Sequence, residues 1–367
     1  MNDKRAKQYT RQKYYLFFID LIFTALFLIA YQFMFSSYFK NFSHSFSHNA
    51  YIIIVIYISI FCLINYFLSF PLDFYRSYIL EHKFLLSNQR FFEWLKDEFK
   101  RAIISFIVFL ILIHGFYIIL RNSGSLWWLW SSLAYLGFNL LFARILPTFI
   151  LPLFYKYSRI YDENLKKNIY DLAKRSSIKL IDIFQIDFSK KTKKANAALI
   201  GLGKSRRVIL ADNLIKEFNQ EETLAVLAHE FAHHKMFHLW KIIMFSGVTG
   251  LAGFYLLSLA RNKVVEINNA DGLYDIVLLP SILFLLFVFS ISIKPIQSAY
   301  SRLLESQADK FTLDITNAPG VFISLMKKLS RLNLSDENPP TFIKYMLYDH
   351  PPISERIEMA ENYKKSQ

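Results

Sequence analysis

Six long apolar stretches alternate with polar segments along the chain. They cover residues 14–35, 51–70, 102–120, 126–146, 242–259 and 276–293. A transmembrane helix needs about 20 predominantly apolar residues, and each stretch is close to that length. The pattern therefore predicts a mainly α-helical, polytopic membrane protein with about six transmembrane helices.

The polar segments differ in length. The first four apolar stretches follow one another closely, whereas a long polar segment at 155–241 precedes the fifth and another polar segment follows the sixth. This predicts an N-terminal transmembrane domain at residues 1–155 and a second domain at 156–367 that contains the last two spans. In the second domain we expect a small β-sheet, with a hairpin turn at residues 200–205, where glycine supplies positive φ.

The composition agrees with a membrane location. Of 367 residues, 54% are hydrophobic and 20% are charged, whereas soluble chains carry about 25% charged residues. The net charge is +14, and Lys and Arg concentrate in alternate loops. The positive-inside rule then places both termini and both large polar regions in the cytoplasm, at a bacterial cytoplasmic membrane or the endoplasmic reticulum. Because this pattern accounts for the charge and no binding motif accompanies it, we expect no nucleic-acid partner.

The polar segment before the fifth stretch contains His-Glu-Phe-Ala-His, which begins at His229. Asn219 and Glu222 form a capping-box pattern, which predicts the start of a helix. On that helix the four-residue spacing places His229 and His233 on one face, where both can bind one zinc ion. Glu230 is rotated by about 100° around the helix. It can therefore act as a general base without binding the metal.

Two histidines leave a catalytic zinc ion one protein ligand short. The extended motif with a third histidine does not fit, because other residues stand at its Gly and third His positions. We therefore expect a distant carboxylate, and the best candidate is Glu305, on a helix that leaves the sixth span. Asp309, four residues later on the same face, could orient a ligating histidine. The alternative for this pair is a solvated face that pairs with Arg302 and Lys310.

Other candidate ligands are interpreted as structural. His234 follows the motif directly and points to another face of the helix, and we interpret both His234 and His238 as non-ligands. The chain has one cysteine, Cys62, which excludes a zinc site built from several thiolates. Any metal site in this chain must therefore use histidines and carboxylates.

Three motifs together resemble those of the M48 metallopeptidases, and most closely the Ste24 type, the CAAX prenyl proteases. They are His-Glu-Phe-Ala-His from His229, Ser-Arg-Leu-Leu-Glu-Ser-Gln-Ala-Asp up to Asp309, and Asp-His-Pro-Pro-Ile-Ser-Glu-Arg up to Arg356. Phe-Pro-Leu-Asp-Phe-Tyr at 70–75 and Trp-Trp-Leu-Trp at 127–130 resemble the N-terminal domain of that family. The likeness extends from about residue 65 to the C-terminus.

The resemblance implies a ring of transmembrane helices around a large chamber, into which a zinc site of the gluzincin type faces. It implies one Zn2+ ion per chain, bound by His229, His233 and Glu305. Glu230 would be the general base, and Asp309 would support the ligands from behind.

The resemblance also assigns residues around the metal. Asn196 and Ala197 would lie on an edge strand that holds the substrate backbone by strand addition. His350 and Arg356 would lie at the active site, where a protonated His350 could stabilise the oxyanion. The alternative for His350 is a loop residue that is locked in place by the two prolines after it.

The activity that the resemblance implies is peptide-bond cleavage. Ste24-type enzymes remove the C-terminal tripeptide of prenylated CAAX proteins, so we expect an integral-membrane zinc metalloendopeptidase. Its partners would be the lipid bilayer and a peptide or protein substrate. In CAAX processing, that substrate would carry a lipid at its C-terminus. Two alternatives stay open, an M48 membrane quality-control protease and a catalytically silent membrane scaffold. The chain departs from the family in having six rather than seven predicted spans, and in His234, where eukaryotic members typically have Trp.

Overall fold

The computed structural model describes residues 2–200 and 206–365, which are mostly α-helical. The predicted hairpin turn therefore lies outside the described residues, apart from Ile200 at the end of a strand. The helices of the N-terminal part are α1 (Asn2–Ala30), α2 (Ser36–Phe46), α3 (Ala50–Phe74), α4 (Leu80–Lys83), α5 (Phe91–Asn122) and α6 (Trp127–Ile145). Short π-helical turns join α1 to α2 and α3 to α4 without a break.

Four strands and eight α-helices follow among the described residues. The strands are β1 (Tyr157–Arg159), β2 (Asp182–Ile186), β3 (Ala197–Ile200) and β4 (Arg207–Ala211). The helices are α7 (Glu163–Arg175), α8 (Asp212–Glu217), α9 (Gln220–Lys235), α10 (His238–Ile267), α11 (Leu279–Thr316), α12 (Pro319–Asn333), α13 (Thr341–Leu347) and α14 (Ile353–Lys365).

Six helical segments among the described residues are long and apolar enough to cross a membrane, which confirms the predicted number. They are Lys4–Phe46, Ala50–Lys83, Phe91–Asn122, Gly124–Leu153, His238–Ile267 and Ile276–Thr316. Many of their large apolar side chains are exposed, as expected for surfaces that face lipid. The segments are longer than the predicted apolar stretches because polar turns extend the helices at their ends.

Polar groups inside the helix bundle have partners within the protein. Ser36 is fully buried, its Oγ lies 2.5 Å from the hydroxyl of Tyr57, and it donates to the Val277 carbonyl at 2.7 Å. A polar group that faced hydrocarbon without such a partner would cost several kcal/mol. These contacts therefore join α2, α3 and the turn before α11 inside the membrane region.

The small sheet has the strand order β1-β2-β4-β3. β2 and β4 are parallel, while β1 and β3 pair in the antiparallel direction at either side. The sheet shares one apolar core with α7, α9, α12 and α14, in which Ile183, Val208, Leu227 and Phe231 are almost fully buried. Strand β3 is therefore an edge strand, and α9 is fixed against the sheet.

Helix α11 connects the membrane region to the part of the protein that contains the sheet and its apolar core. It has 38 residues, which corresponds to a length of about 57 Å. A hydrocarbon layer is about 30 Å thick, so the C-terminal part of α11 projects beyond the membrane. Glu305 and Asp309 lie on this projecting part, where both are buried against α9.

The segment before β3 is attached to the N-terminal part of the chain. Thr192 and Ser87 form an isolated antiparallel bridge. The Lys193 amide donates to the Leu86 carbonyl at 2.9 Å, and Lys194 Nζ lies 2.8 Å from Glu81 Oε2. The start of β3 is thus positioned by the residues around α4 as well as by the sheet.

Candidate active site

A capping box fixes the first residue of helix α9. Asn219 Oδ1 accepts a hydrogen bond from the Glu222 amide at 2.8 Å, and Glu222 Oε2 accepts one from the Asn219 amide at 3.0 Å. This confirms the predicted capping box, which is worth about 1 kcal/mol. Glu222 also pairs with Lys328 Nζ at 2.6 Å. The helix start is therefore anchored to α12, and this sets the register of the motif that follows.

Two histidines and one carboxylate converge on one point. His229 Nε2 and His233 Nε2 lie 3.1 Å apart, and Glu305 carboxylate oxygens lie 3.0 Å and 3.4 Å from them. In a tetrahedral zinc site with bonds of about 2.0–2.1 Å, ligand atoms are roughly 3.3 Å apart. Among the described residues, these three are the group that could hold a metal ion. The spacing and the donor types both fit a divalent cation.

A buried ion pair lies behind this group. His229 Nδ1 is 2.9 Å from Asp309 Oδ1, and Asp309 is fully buried. Arg356 donates to the two oxygens of Asp309 from Nε at 2.8 Å and from Nη2 at 2.5 Å. Asp309 therefore lies where the sequence predicted a supporting carboxylate. Arg356 contacts the metal group of His229, His233 and Glu305 only indirectly, through Asp309. It also lines the adjoining cavity.

His238 supports the second histidine, a contact that the sequence reasoning missed. Its Nδ1 lies 2.9 Å from His233 Nδ1, and its Nε2 lies 3.2 Å from Gln307 Oε1. Phe237 adopts a left-handed conformation with φ 58° and separates α9 from α10, so helical spacing cannot be extended from the motif to His238. His234 instead contacts the carbonyl of Leu199 at 2.9 Å.

His350 faces the same point from the loop between α13 and α14. Its Nε2 lies 3.3 Å from Glu305 Oε2, and its Nδ1 lies 2.8 Å from Asp349 Oδ1. About half of the His350 side chain is exposed, so its ring is accessible from the cavity. The predicted residues His350 and Glu305 are thus in contact across a separation of 45 residues in sequence.

The edge strand lies beside the motif helix. The Ala211 amide donates to the Asn196 carbonyl at 3.0 Å, so Asn196 forms a hydrogen-bonded pair with β4. Along an antiparallel strand, such residues alternate with residues whose N–H and C=O groups point away from the partner strand. The backbone groups of Ala197 and Leu199 therefore point away from β4. Those of Leu199 are occupied by Glu230 and His234 of α9. Ala197 and the exposed Asn196 instead line a cavity.

Comparison with family models identifies both parts of the chain. A model described as "Peptidase family M48" matches residues 160–364, which is more than half of the chain. The chain belongs to peptidase family M48. A second model, described as "CAAX prenyl protease N-terminal, five membrane helices", matches residues 3–156. Four of the six candidate spans lie in that range, one fewer than the description states.

Relatives of this M48 chain are found in bacteria and eukaryotes. The metalloprotease YhfN of Bacillus subtilis (strain 168) is 27% identical over 361 residues, which cover 97% of this chain and 84% of that protein. The CAAX prenyl protease 1 homolog of Dictyostelium discoideum is 31% identical over 305 residues, which cover 78% of this chain and 68% of that protein. The predicted family and the predicted class of enzyme, a membrane metalloprotease, are confirmed.

A solved structure confirms the predicted fold. The crystal structure of S. mikatae Ste24p matches with a TM-score of 0.84 and 23% sequence identity, covering 98% of this chain and 89% of that chain. The M48 chain therefore has the Ste24 fold, with six candidate membrane helices and a small mixed sheet.

A cavity of about 660 Å³ adjoins the metal group of the M48 chain. Its walls include His229, Glu230, Asn196, Ala197 and His350. Cavities of about 300–1,000 Å³ are typical of small-molecule and peptide-side-chain sites. The metal group, the carboxylate next to it and the edge strand therefore face one common space.

The electrostatics of the site differ from residue to residue. Burial raises the pKa of Glu230 above the usual value of a carboxyl group. Burial also lowers the pKa of His233 to about 4, which keeps its imidazole in the neutral form that binds metals. Burial opposes the charged form of His229 too, but hydrogen bonds to Asp309 and Glu305 outweigh it and raise the pKa of His229 to about 9. A proton on His229 would therefore leave when a metal ion binds.

Proposed function

We propose that this M48 enzyme is a zinc endopeptidase that cuts peptide or protein substrates. The observation that carries the proposal is the metal group of His229, His233 and Glu305, with Glu230 in the wall of the same cavity. Two imidazoles and one carboxylate are the protein ligands of many catalytic zinc sites, which keep a further position open.

The topology of the proposal follows from the charge pattern. Lys and Arg concentrate in the N-terminal tail, in alternate loops and in the long polar regions. By the positive-inside rule, both termini and the active site lie in the cytoplasm. We further propose that residues 1–155 form a transmembrane domain and that residues 156–367 form the peptidase domain with the last two spans.

The residues of the site divide the chemistry between them. Zinc, when bound, polarises the scissile carbonyl and lowers the pKa of water. Glu230 takes a proton from the attacking water and passes it to the leaving amine, a role that its raised pKa favours. Burial alone would lower the pKa of His350, but the hydrogen bond to Asp349 and the field of Glu305 raise it. The raised pKa favours the protonated form of His350, which can donate to the carbonyl oxygen as negative charge develops there.

The substrate backbone is held at the start of the edge strand, where the Ala197 amide donates to Asn196 Oδ1 at 2.9 Å. Asn196 and the backbone of Ala197 face the cavity, so an extended peptide can add to β3 at this point. Strand addition supplies main-chain hydrogen bonds that are independent of side-chain identity. Leu199 cannot contribute in the same way, because α9 already occupies its backbone groups.

The proposal is tested with Glu230→Gln in purified protein and a fluorogenic peptide. Loss of the proton acceptor should lower kcat by at least about 100-fold, while the zinc content stays at one ion per chain. Glu221→Gln is the matched control, because Glu221 is an exposed residue in the first turn of the same helix. Equal activity of Glu230→Gln and the wild type would refute the assigned mechanism, and a wild type that binds zinc but cuts no peptide would favour the silent scaffold.

A lipidated C-terminus is the substrate class that the relatives favour, since several of them are named CAAX prenyl protease 1 homologs. Two peptides that differ only in a farnesyl group on the Cys of a Cys-aliphatic-aliphatic-X end test this part. Preferential cleavage of the farnesylated peptide supports a CAAX-type enzyme. Equal cleavage of both would instead assign general membrane proteolysis, as in a quality-control protease.

A further inference from the structure

Two described lysines in the wall of the active-site cavity form no salt bridge with a carboxylate. Lys13 of α1 and Lys294 of α11 line the same cavity as Glu230. Within residues 2–200 and 206–365, no Asp or Glu oxygen lies within 4.0 Å of either Nζ atom. Arg356, a third cation of the wall, is neutralised by Asp309. The cavity therefore contains two lysine ammonium groups that an anionic ligand could reach.

The surroundings of Lys13 favour an anion. The Nζ atoms of Lys13 and Lys194 each lie 5.4 Å from the centre of the Tyr9 ring. Glu81 is the nearby carboxylate, and it is already bound by the Tyr9 hydroxyl and by Lys194. Two lysines and one glutamate leave one positive charge at this end of the cavity.

Lys294 has a different environment. It interacts electrostatically with Asp349 of the same cavity wall. Another carboxylate of the wall, Asp336, accepts a hydrogen bond from the Asn338 amide at 3.1 Å. Negative groups thus accompany Lys294, whereas Lys194 adds positive charge beside Lys13.

Lys13 lies near the N-terminal start of the edge strand β3, where the C-terminus of a bound substrate is expected. Lys194, whose Nζ lies near the same Tyr9 ring as that of Lys13, is two residues before Asn196, and β3 begins at Ala197. A peptide that pairs antiparallel with β3 runs from the end of this strand towards its beginning. The C-terminus of that peptide is therefore directed towards Lys13.

We propose that Lys13 binds the C-terminal carboxylate of the substrate and so fixes the cut at a set distance from the chain end. The inference rests on the proposed peptidase function and deepens it, because it makes the free chain terminus part of the recognised substrate. An ammonium group and a carboxylate form a charge-assisted hydrogen bond, which is stronger than a neutral one. Lys13 would act as a specificity-determining residue on the first helix of the chain.

The test compares two peptides of one sequence, one with a free C-terminal carboxylate and one with a C-terminal amide. For the wild type we expect kcat/KM to be about 10–100-fold higher for the acid, the range for a hydrogen bond to a charged group. Lys13→Met should reduce this acid-to-amide ratio to about one, and Lys13→Arg should restore most of it. Lys294→Met is the matched control and should keep the ratio of the wild type.

The outcomes separate the inference from the proposed function. A wild type that cuts acid and amide equally well would overturn the role of Lys13 and leave the peptidase intact. A ratio that survives in Lys13→Met, or that is lost in Lys294→Met instead, would also overturn it. Failure to cut either peptide would count against the proposed function, since Glu230→Gln would then match the wild type.

Discussion

At the residue scale, each histidine of the candidate metal group is oriented by a partner on its other ring nitrogen. Asp309 contacts Nδ1 of His229 at 2.9 Å, and His238 contacts Nδ1 of His233 at 2.9 Å. Such contacts fix the tautomer and the orientation of a ligating imidazole. The two supports differ, because Asp309 is a fully buried carboxylate paired with Arg356 whereas His238 is neutral or cationic.

The support from Asp309 can be measured with Asp309→Asn. The amide keeps the size of the side chain but removes the charge that favours a metal-binding His229, so zinc affinity should fall by about 10–100-fold. Competition with a fluorescent chelator measures the affinity directly. Asp314→Asn, an exposed position on the same helix, is the control and should bind zinc as the wild type does. Unchanged affinity in Asp309→Asn would show that His229 needs no carboxylate behind it.

At the element scale, α6 and α10 approach closely because α10 has glycines on the contacting face. A Cβ atom at Gly250 would lie 2.6 Å from Cδ1 of Tyr135, and one at Gly247 would lie 3.1 Å from Leu136 Cδ1. The Tyr135 hydroxyl lies 3.1 Å from Ser246 Oγ, which limits the movement of its ring. Small residues at such contacts let membrane helices pack backbone to side chain.

The packing predicts opposite effects for two glycine substitutions. Gly250→Ala forces Tyr135 to move and should lower the free energy of unfolding by about 1–3 kcal/mol. Gly137→Ala, on α6, places a methyl group where no atom lies within 4 Å. It should leave stability unchanged or raise it by up to about 1 kcal/mol, since Ala favours helix over Gly. The thermal unfolding midpoints of both variants, measured in detergent, test this prediction. Equal midpoints would show that the contact with Tyr135 is loose.

At the scale of the whole molecule, both ends of the chain contribute to one site. The hydroxyl groups of Tyr14 and Tyr348 lie 2.7 Å apart, although 334 residues separate them in sequence. Tyr348 directly precedes Asp349 and His350, and Arg302 of α11 donates to its carbonyl at 2.7 Å. The first helix therefore holds the loop that carries His350.

Removal of this link should affect catalysis without affecting the metal. Tyr14→Phe loses one hydrogen bond worth about 0.5–1.5 kcal/mol, so kcat/KM should fall by roughly 2–10-fold as His350 becomes less ordered. Zinc content should stay the same, because the metal group does not include this loop. Tyr15→Phe is the control, since the Tyr15 side chain is 56% exposed. Wild-type kinetics in Tyr14→Phe would show that the loop is held by its other contacts.

Local patterns in the sequence predict the spans and part of the site, because they depend on neighbouring residues. Apolar run length predicts six membrane helices, and the four-residue spacing predicts that His229 and His233 share a face, as the structure shows. The pairing of Arg356 with Asp309 depends on how α14 packs against α11, which no local pattern encodes. The structure also brings Glu305 to the two histidines, whereas its role as a ligand stays a proposal.

The turn between α10 and α11 has a consequence for measuring how the enzyme is inserted. The metal group lies between the start of α10 and the end of α11, whereas residues 268–275 connect the opposite ends of these helices. Asp271 in this turn is 81% exposed, so a small reporter inserted there has room and is separated from the metal group by one membrane crossing along either helix. The face of the membrane on which the reporter is detected identifies the opposite face as the one where substrates are cut.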